Sequence, residues 1–151
     1  MANSLNTQNN IQIADKDIVC YACFKVSDTK NNTYTYLSES WLNVPIQNKI
    51  WKPNEVNQVI HDPVVQYYKQ DGIIKRFSGE WFYTYPKKNS AQSDLYWSNK
   101  SVFFSHDSYV VCKCIIPEGS KYVVGDHYNV NTYSHHDTFA SEKLMIVKVL
   151  K

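Results

Sequence analysis

Ser108 to Ile116 reads S-Y-V-V-C-K-C-I-I and stops at Pro117. Side chains alternate along it and most are β-branched, aromatic or small, the pattern of a strand, and a proline cannot donate to a continuing ladder. Glu118-Gly119-Ser120 then turns the chain into a second strand, Lys121 to Val124, ahead of Gly125. The same period of two recurs near the start of the chain. It places Ile18, Cys20, Ala22, Phe24 and Val26 on one face and Val19, Tyr21, Cys23 and Lys25 on the other.

Outward from these stretches, Asp28 to Asn32 is turn-rich and Thr33 to Leu37 alternates Thr and Tyr, a hairpin with the first strand. Ser38 to Pro53 carries Trp41, Leu42, Val44, Ile46, Ile50 and Trp51 between prolines and reads as an edge strand or ordered loop. Asn54 to Tyr68 is the best helix candidate, with Val56, Val59 and Ile60 on helical spacing until Pro63. Asp71-Gly72 marks a hairpin between Val64–Lys69 and Ile73–Phe77. Glu80 to Tyr85 reads as a strand, Pro86 to Ser93 as a polar loop, and Leu95–Trp97 and Val102–Phe104 as short apolar pieces. Leu144 to Leu150, nearly continuous in apolar residues, predicts a central strand covered on both faces. The expected fold is mainly β, with α+β as the alternative. It is one compact domain over residues 16–151, with seven to nine short, mostly antiparallel strands and one or two short helices. Residues 1–15, polar and aperiodic, read as a flexible N-terminal arm.

Composition narrows the function classes. The 151 residues are 43% hydrophobic and 20% charged, which argues against a disordered chain, and 4 Gly with 5 Pro exclude collagen-like and linker-like classes. A net charge of +2 gives little long-range field. Arg76 is the lone arginine beside 15 lysines, so bidentate reading of phosphate or guanine has little to work with. No basic n-region with an apolar h-region opens the chain and no run approaches a membrane span, so a soluble, cytoplasmic protein is expected.

Three constellations bear on chemistry. Cys20 and Cys23 form C-x-x-C, and Cys112 and Cys114 form C-x-C; in strands the first pair points to opposite faces, so buried thiols are expected rather than a metal site. His135, His136 and Asp137, with His106 and His127, offer the groups for a metal site or an acid/base pair, but adjacent His135 and His136 cannot face one ion from a regular element and Asn129 to Thr138 reads as a mobile loop. Trp81, Tyr83 and Tyr85 share one strand face, with Lys87 and Lys88 just beyond, either a stacking platform or core filling. Lys69, Lys75 and Arg76 add to a locally basic middle third. No nucleophile elbow, phosphate loop, dinucleotide fingerprint or zincin motif occurs, and no cofactor is expected.

Val110 to Gly125, V-V-C-K-C-I-I-P-E-G-S-K-Y-V-V-G, followed by Phe139-Ala140-Ser141-Glu142-Lys143, resembles the C-terminal part of short uncharacterised proteins from bacteriophages and Bacteroidota. The strand, I-P-E-G-S turn and second strand are also similar to the closing hairpin of ADP-ribosyltransferases, although the acidic catalytic residue of that family has no match within Ser108 to Cys114. Small size, the absence of catalytic motifs, the aromatic excess and this phage-like segment together lead us to expect a small non-enzymatic binding protein of phage or mobile-element type, an accessory or anti-defence inhibitor engaging a host protein or protein–RNA complex. Its expected surface is Trp81, Tyr83, Tyr85, Lys87, Lys88, Arg76, His135 and His136. The alternatives are a small-ligand or nucleotide binder, including a degenerate transferase-like domain, and a virion structural subunit.

Overall fold

The computed structural model describes residues 4–28, 33–36, 50–59, 62–69, 73–78, 81–93, 109–129 and 134–150. Its strands in chain order are β1 (Ser4–Thr7), β2 (Gln12–Ile13), β3 (Ile18–Asp28), β4 (Thr33–Tyr36), β5 (Val56–Gln58), β6 (Val64–Lys69), β7 (Ile73–Ser78), β8 (Phe82–Thr84), β9 (Tyr109–Ile116), β10 (Lys121–Asn129), β11 (Ser134–Ser141) and β12 (Lys143–Val149). A seven-stranded sheet runs β6-β7-β1-β10-β11-β8, with β2 also on β10, and a five-stranded sheet runs β4-β3-β9-β12-β5. The mainly β expectation holds, with twelve strands rather than seven to nine, and residues 88–93 form the one helix among the described residues.

Register shows how both sheets grow from the same long strands. β9 and β10 follow one another in the chain, yet β9 pairs with β3 and β12 while β10 pairs with β1, β2 and β11. Ile115 faces Met145 in one sheet and Tyr122 faces Ser141 in the other, so β9–β10 and β11–β12 make one long hairpin bent across the two sheets. The N-terminal segment follows the same bend, with Gln12 opposite Tyr122 and Ile18 opposite Ile116. Strands that change sheet at a corner through an irregularity are the usual way two sheets join at a steep angle. Here the irregularity is Pro117-Glu118-Gly119-Ser120, so this turn is a corner between sheets rather than a hairpin turn. Gly119 takes φ 86°, a left-handed conformation that suits glycine. The corner is pinned from both sides. Gly119 N donates to Ala14 O at 2.8 Å, Glu118 N to Asp17 Oδ1 at 2.8 Å and Lys121 N to Glu142 Oε1 at 3.0 Å.

Several local expectations are corrected. The arm expected over residues 1–15 contributes two strands: β1 lies between β7 and β10 with Leu5 buried at 1% exposure, and β2 pairs with β10. The backbone groups of β1 pair on both sides, a stabilisation that polar composition does not reveal. The helix expected over 54–68 is absent from the described part, which holds β5 and β6; Asn54 turns the chain at φ 67° and its N–H joins Ile146 O at 2.8 Å. Residues 88–93, read as loop, are helical, and most of Asn129 to Thr138, read as loop, belongs to β10 and β11. β12 is covered on one face only, because Leu144 and Ile146 point inward while Val147 and Lys148 are exposed. Trp41, Leu42, Val44, Ile46, His106, the Asp71-Gly72 turn and the pieces 95–97 and 102–104 lie outside the described residues.

The core lies where the two sheets meet around Trp51. Its ring packs edge-on to Phe24 of β3 at 5.3 Å and to Phe82 of β8 at 5.0 Å. Beside it, Tyr85 just after β8 exchanges backbone hydrogen bonds with Tyr21 of β3, joining the rim of one sheet to the other.

Candidate functional site

The aromatic strand is core. Trp81, Tyr83 and Tyr85 are 2%, 3% and 2% exposed, so they form no open stacking platform. Both sides of β8 are covered: Phe82 meets Trp51 and Thr84 meets the Cys20 thiol, while Tyr83 sits opposite Ala140 and Tyr85 rests against His136. Burial pushes the Tyr83 phenol upward, so it stays neutral. Period-two alternation identifies residues that share a face but not whether the second face is also buried.

The expected basic patch is dispersed. Lys87 and Lys88 are exposed at the start of the short helix, whereas Arg76 is exposed on β7. β7 and β8 are consecutive in sequence but separated in their sheet by β1, β10 and β11, about 19 Å across at the usual strand spacing. Arg76 instead continues a polar row, Gln66, Arg76, Asn6, Asp126 and Asp137, formed by directly opposed residues of five adjacent strands.

Strand β11 sends the two histidines to opposite faces. His135 Nδ1 pairs with Asp126 Oδ2 on the exposed side. His136 Nδ1 hydrogen-bonds Ser90 Oγ at 3.0 Å and its ring lies 5.9 Å from that of Tyr85, with His127 opposite it on β10. Of the expected site residues, the structure therefore brings together Tyr85 and His136, and the Ser90–His136 hydrogen bond fastens the helix at 88–93 to the sheet. No group of three or more His, Cys, Asp or Glu suited to a metal ion occurs among the described residues.

The cysteines follow the strand reading. Cys20 faces Cys114 directly, with Cys112 two residues along the same inward face, and Cys23 is buried on the other face. Burial raises the Cys20 and Cys112 thiols from 9.0 to about 12, and the Cys114 thiol is raised too, by burial and by the other two. All three are protonated and weakly nucleophilic at neutral pH.

The surface that alternation alone did not single out is the solvent face of the five-stranded sheet. Val19, Ile115, Met145 and Val56 are mutually opposed across β3, β9, β12 and β5, an unbroken apolar row. Val19 and Val56 are 45% and 52% exposed, and Ile115 and Met145 are half-buried. The next row toward the chain's far end holds Tyr21, Lys113 and Lys148, with the two lysines directly opposite each other. Among the described residues neither lysine has a salt-bridge partner. Like charges facing across a ladder destabilise it, and a contiguous apolar row left partly open to solvent marks an interaction surface. Each of these four apolar residues is half of an alternating pattern; only the register aligns them.

No family model, no curated protein and no solved structure matches this chain. No helix among the described residues is long and apolar enough to cross a membrane.

Proposed function

We propose that the chain is a small non-enzymatic binding protein whose solvent face on the five-stranded sheet docks an acidic patch of a partner protein. The observation that carries the reading is the apolar row Val19, Ile115, Met145 and Val56 bordered by the opposed pair Lys113 and Lys148. Aliphatic and Met side chains flanked by cations match a protein interface with an apolar centre and a charged rim. They match a nucleic acid poorly, because among the described residues the face offers no arginine fork and no exposed aromatic ring on which a base would stack. A carboxylate set between Lys113 and Lys148 would relieve their repulsion and speed encounter. In the phage setting that the resemblance of Val110 to Gly125 implies, the partner is a host protein put out of action by occupancy.

The test compares proteins retained by three immobilised forms: the wild type, a face variant carrying Val19→Glu and Val56→Glu, and a control carrying Arg76→Glu on the other sheet. A retained protein that disappears with the face variant, persists with the control and is released by moderate salt supports the reading. Identical retention by all three forms, or loss with the control alone, overturns it.

A further inference from the structure

The solvent face of the five-stranded sheet has a shape as well as a chemistry, because its apolar row is one residue deep. Val19, Ile115, Met145 and Val56 lie in register across β3, β9, β12 and β5. On one side of that row the register places Lys143 opposite Gln58, each two residues away on its strand. Leu144 and Ile146 point into the core, so Lys143 shares the solvent side with Met145. On the other side the register places Tyr21 opposite Lys113, and Lys113 opposite Lys148, which the bulge at Val147 brings into line. Lysines thus border the row on both sides, each about 7 Å away at two residues of strand rise.

An occupant of a sheet face, unlike one at a sheet edge, cannot pair its backbone with this chain, so it must arrive with its own N–H and C=O groups paired. A single extended segment does not meet that condition, whereas a helix or a second sheet does. A second sheet would lay several rows of side chains on the face and bury the bordering lysines beneath them, which costs the desolvation of charge. A helix about 10–12 Å across fits between lysine rows about 14 Å apart and leaves them at its flanks. Length agrees as well. Four residues in register on adjacent strands span about 14 Å, the positions i, i+4, i+7 and i+11 of a helix about 16 Å, and four alternate residues of an extended segment about 20 Å. Cations on both borders are complementary to carboxylates on both flanks of the helix. We propose that this face takes an amphipathic α-helix of the partner protein, laid across the four strands with its apolar stripe on the row and acidic residues along both flanks. The inference rests on the docking role proposed for this face and adds the form of the occupant.

The probe is a fluorescent alanine-based peptide of about fifteen residues, with leucine at i, i+4, i+7 and i+11 and glutamate on either side of that stripe, mixed with the full chain at low salt. A peptide of the same composition with the leucines spread around the helix is the control. Fluorescence anisotropy is expected to show saturable binding of the amphipathic peptide, at least about tenfold tighter than the control, which is the worth of one well-buried leucine. Val19→Glu together with Val56→Glu should abolish it, and Arg76→Glu should leave it intact. Lys143→Glu and Lys148→Glu, each alone, should weaken it by about two- to fivefold, the worth of a charge pair at a rim. The proposal is overturned by no binding, by equal binding of the two peptides, by binding that survives the paired Glu substitutions, or by sensitivity to Lys148→Glu without sensitivity to Lys143→Glu. The capture comparison distinguishes this failure from failure of the docking role. A partner lost with the face variant, in a chain that does not bind the peptide, leaves the docking face standing and removes the helical occupant.

Discussion

Gly125 sits where the N-terminal strand crosses β10 most closely, and it shows how tightly that crossing is built. A Cβ at this position would lie 2.5 Å from Leu5 Cδ1 and 2.6 Å from Asn6 O, and the second contact is backbone that cannot rotate away. Gly125→Ala should therefore cost about 1–3 kcal/mol of stability by overpacking. Chemical denaturation checks it, and the cost should vanish in a chain from which residues 1–10 are removed. The buried thiols make a second case at this scale. Cys20 and Cys112 rise to about 12 in the fold against 9.0 for an ordinary thiol. Folding thus favours their protonated form: the stabilisation is complete below pH 9 and is lost as pH climbs toward 12, because only the unfolded chain releases these protons early. The denaturation midpoint should fall across that window, and less steeply in a Cys20→Ala, Cys112→Ala variant. A thiol reagent at pH 8 should label both residues only after unfolding.

Among the elements, β1 has the largest consequence for its size. Four residues separate β7 from β10, and β1 supplies the backbone pairing that holds the β6–β7 hairpin to the rest of its sheet. Deleting residues 1–10 should leave β6 and β7 exchanging amide protons rapidly while β3, β9 and β12 stay protected, a pattern that hydrogen exchange resolves strand by strand. Leu5→Ala, which keeps the backbone and removes a side chain exposed at 1%, should cost about 2–5 kcal/mol without detaching the strand. The short helix is a smaller unit held by the Ser90–His136 contact. Sequence showed β3, β4, β6, β7, β8, β9 and the start of β10 because each alternates or is flanked by strong turn residues, and β12 because it is nearly continuous in apolar residues. It missed β1, β2, β5, β11 and the helix at 88–93, several of whose pairing or docking partners lie far along the chain, as Ser90 and His136 do.

At the scale of the molecule, docking and stability pull against each other on the five-stranded sheet. Lys148→Glu would replace a repulsive cross-strand pair with Lys113 by an attractive one, so the isolated protein should gain about 0.2–1 kcal/mol while retention of an acidic partner falls. Thermal denaturation and the capture comparison read the two effects separately. A loss of both, or a gain of both, would contradict the role given to this face. The candidate site was legible only in part. The aromatic residues Trp81, Tyr83 and Tyr85 were visible as one face but are buried, Arg76 is remote from β8, and His135 and His136 are split between faces. Local alternation by itself determined the β class, the strand character of Ile18 to Val26 and Tyr109 to Ile116, and the opposite orientations of Cys20 and Cys23, because side-chain direction in a strand depends only on neighbouring residues. Which face meets solvent was decided by the tertiary structure. The corner at Pro117 to Ser120 carries the chain from one sheet to the other, and hydrogen-bond register within the five-stranded sheet makes Val19, Ile115, Met145 and Val56, separated widely in the chain, one surface.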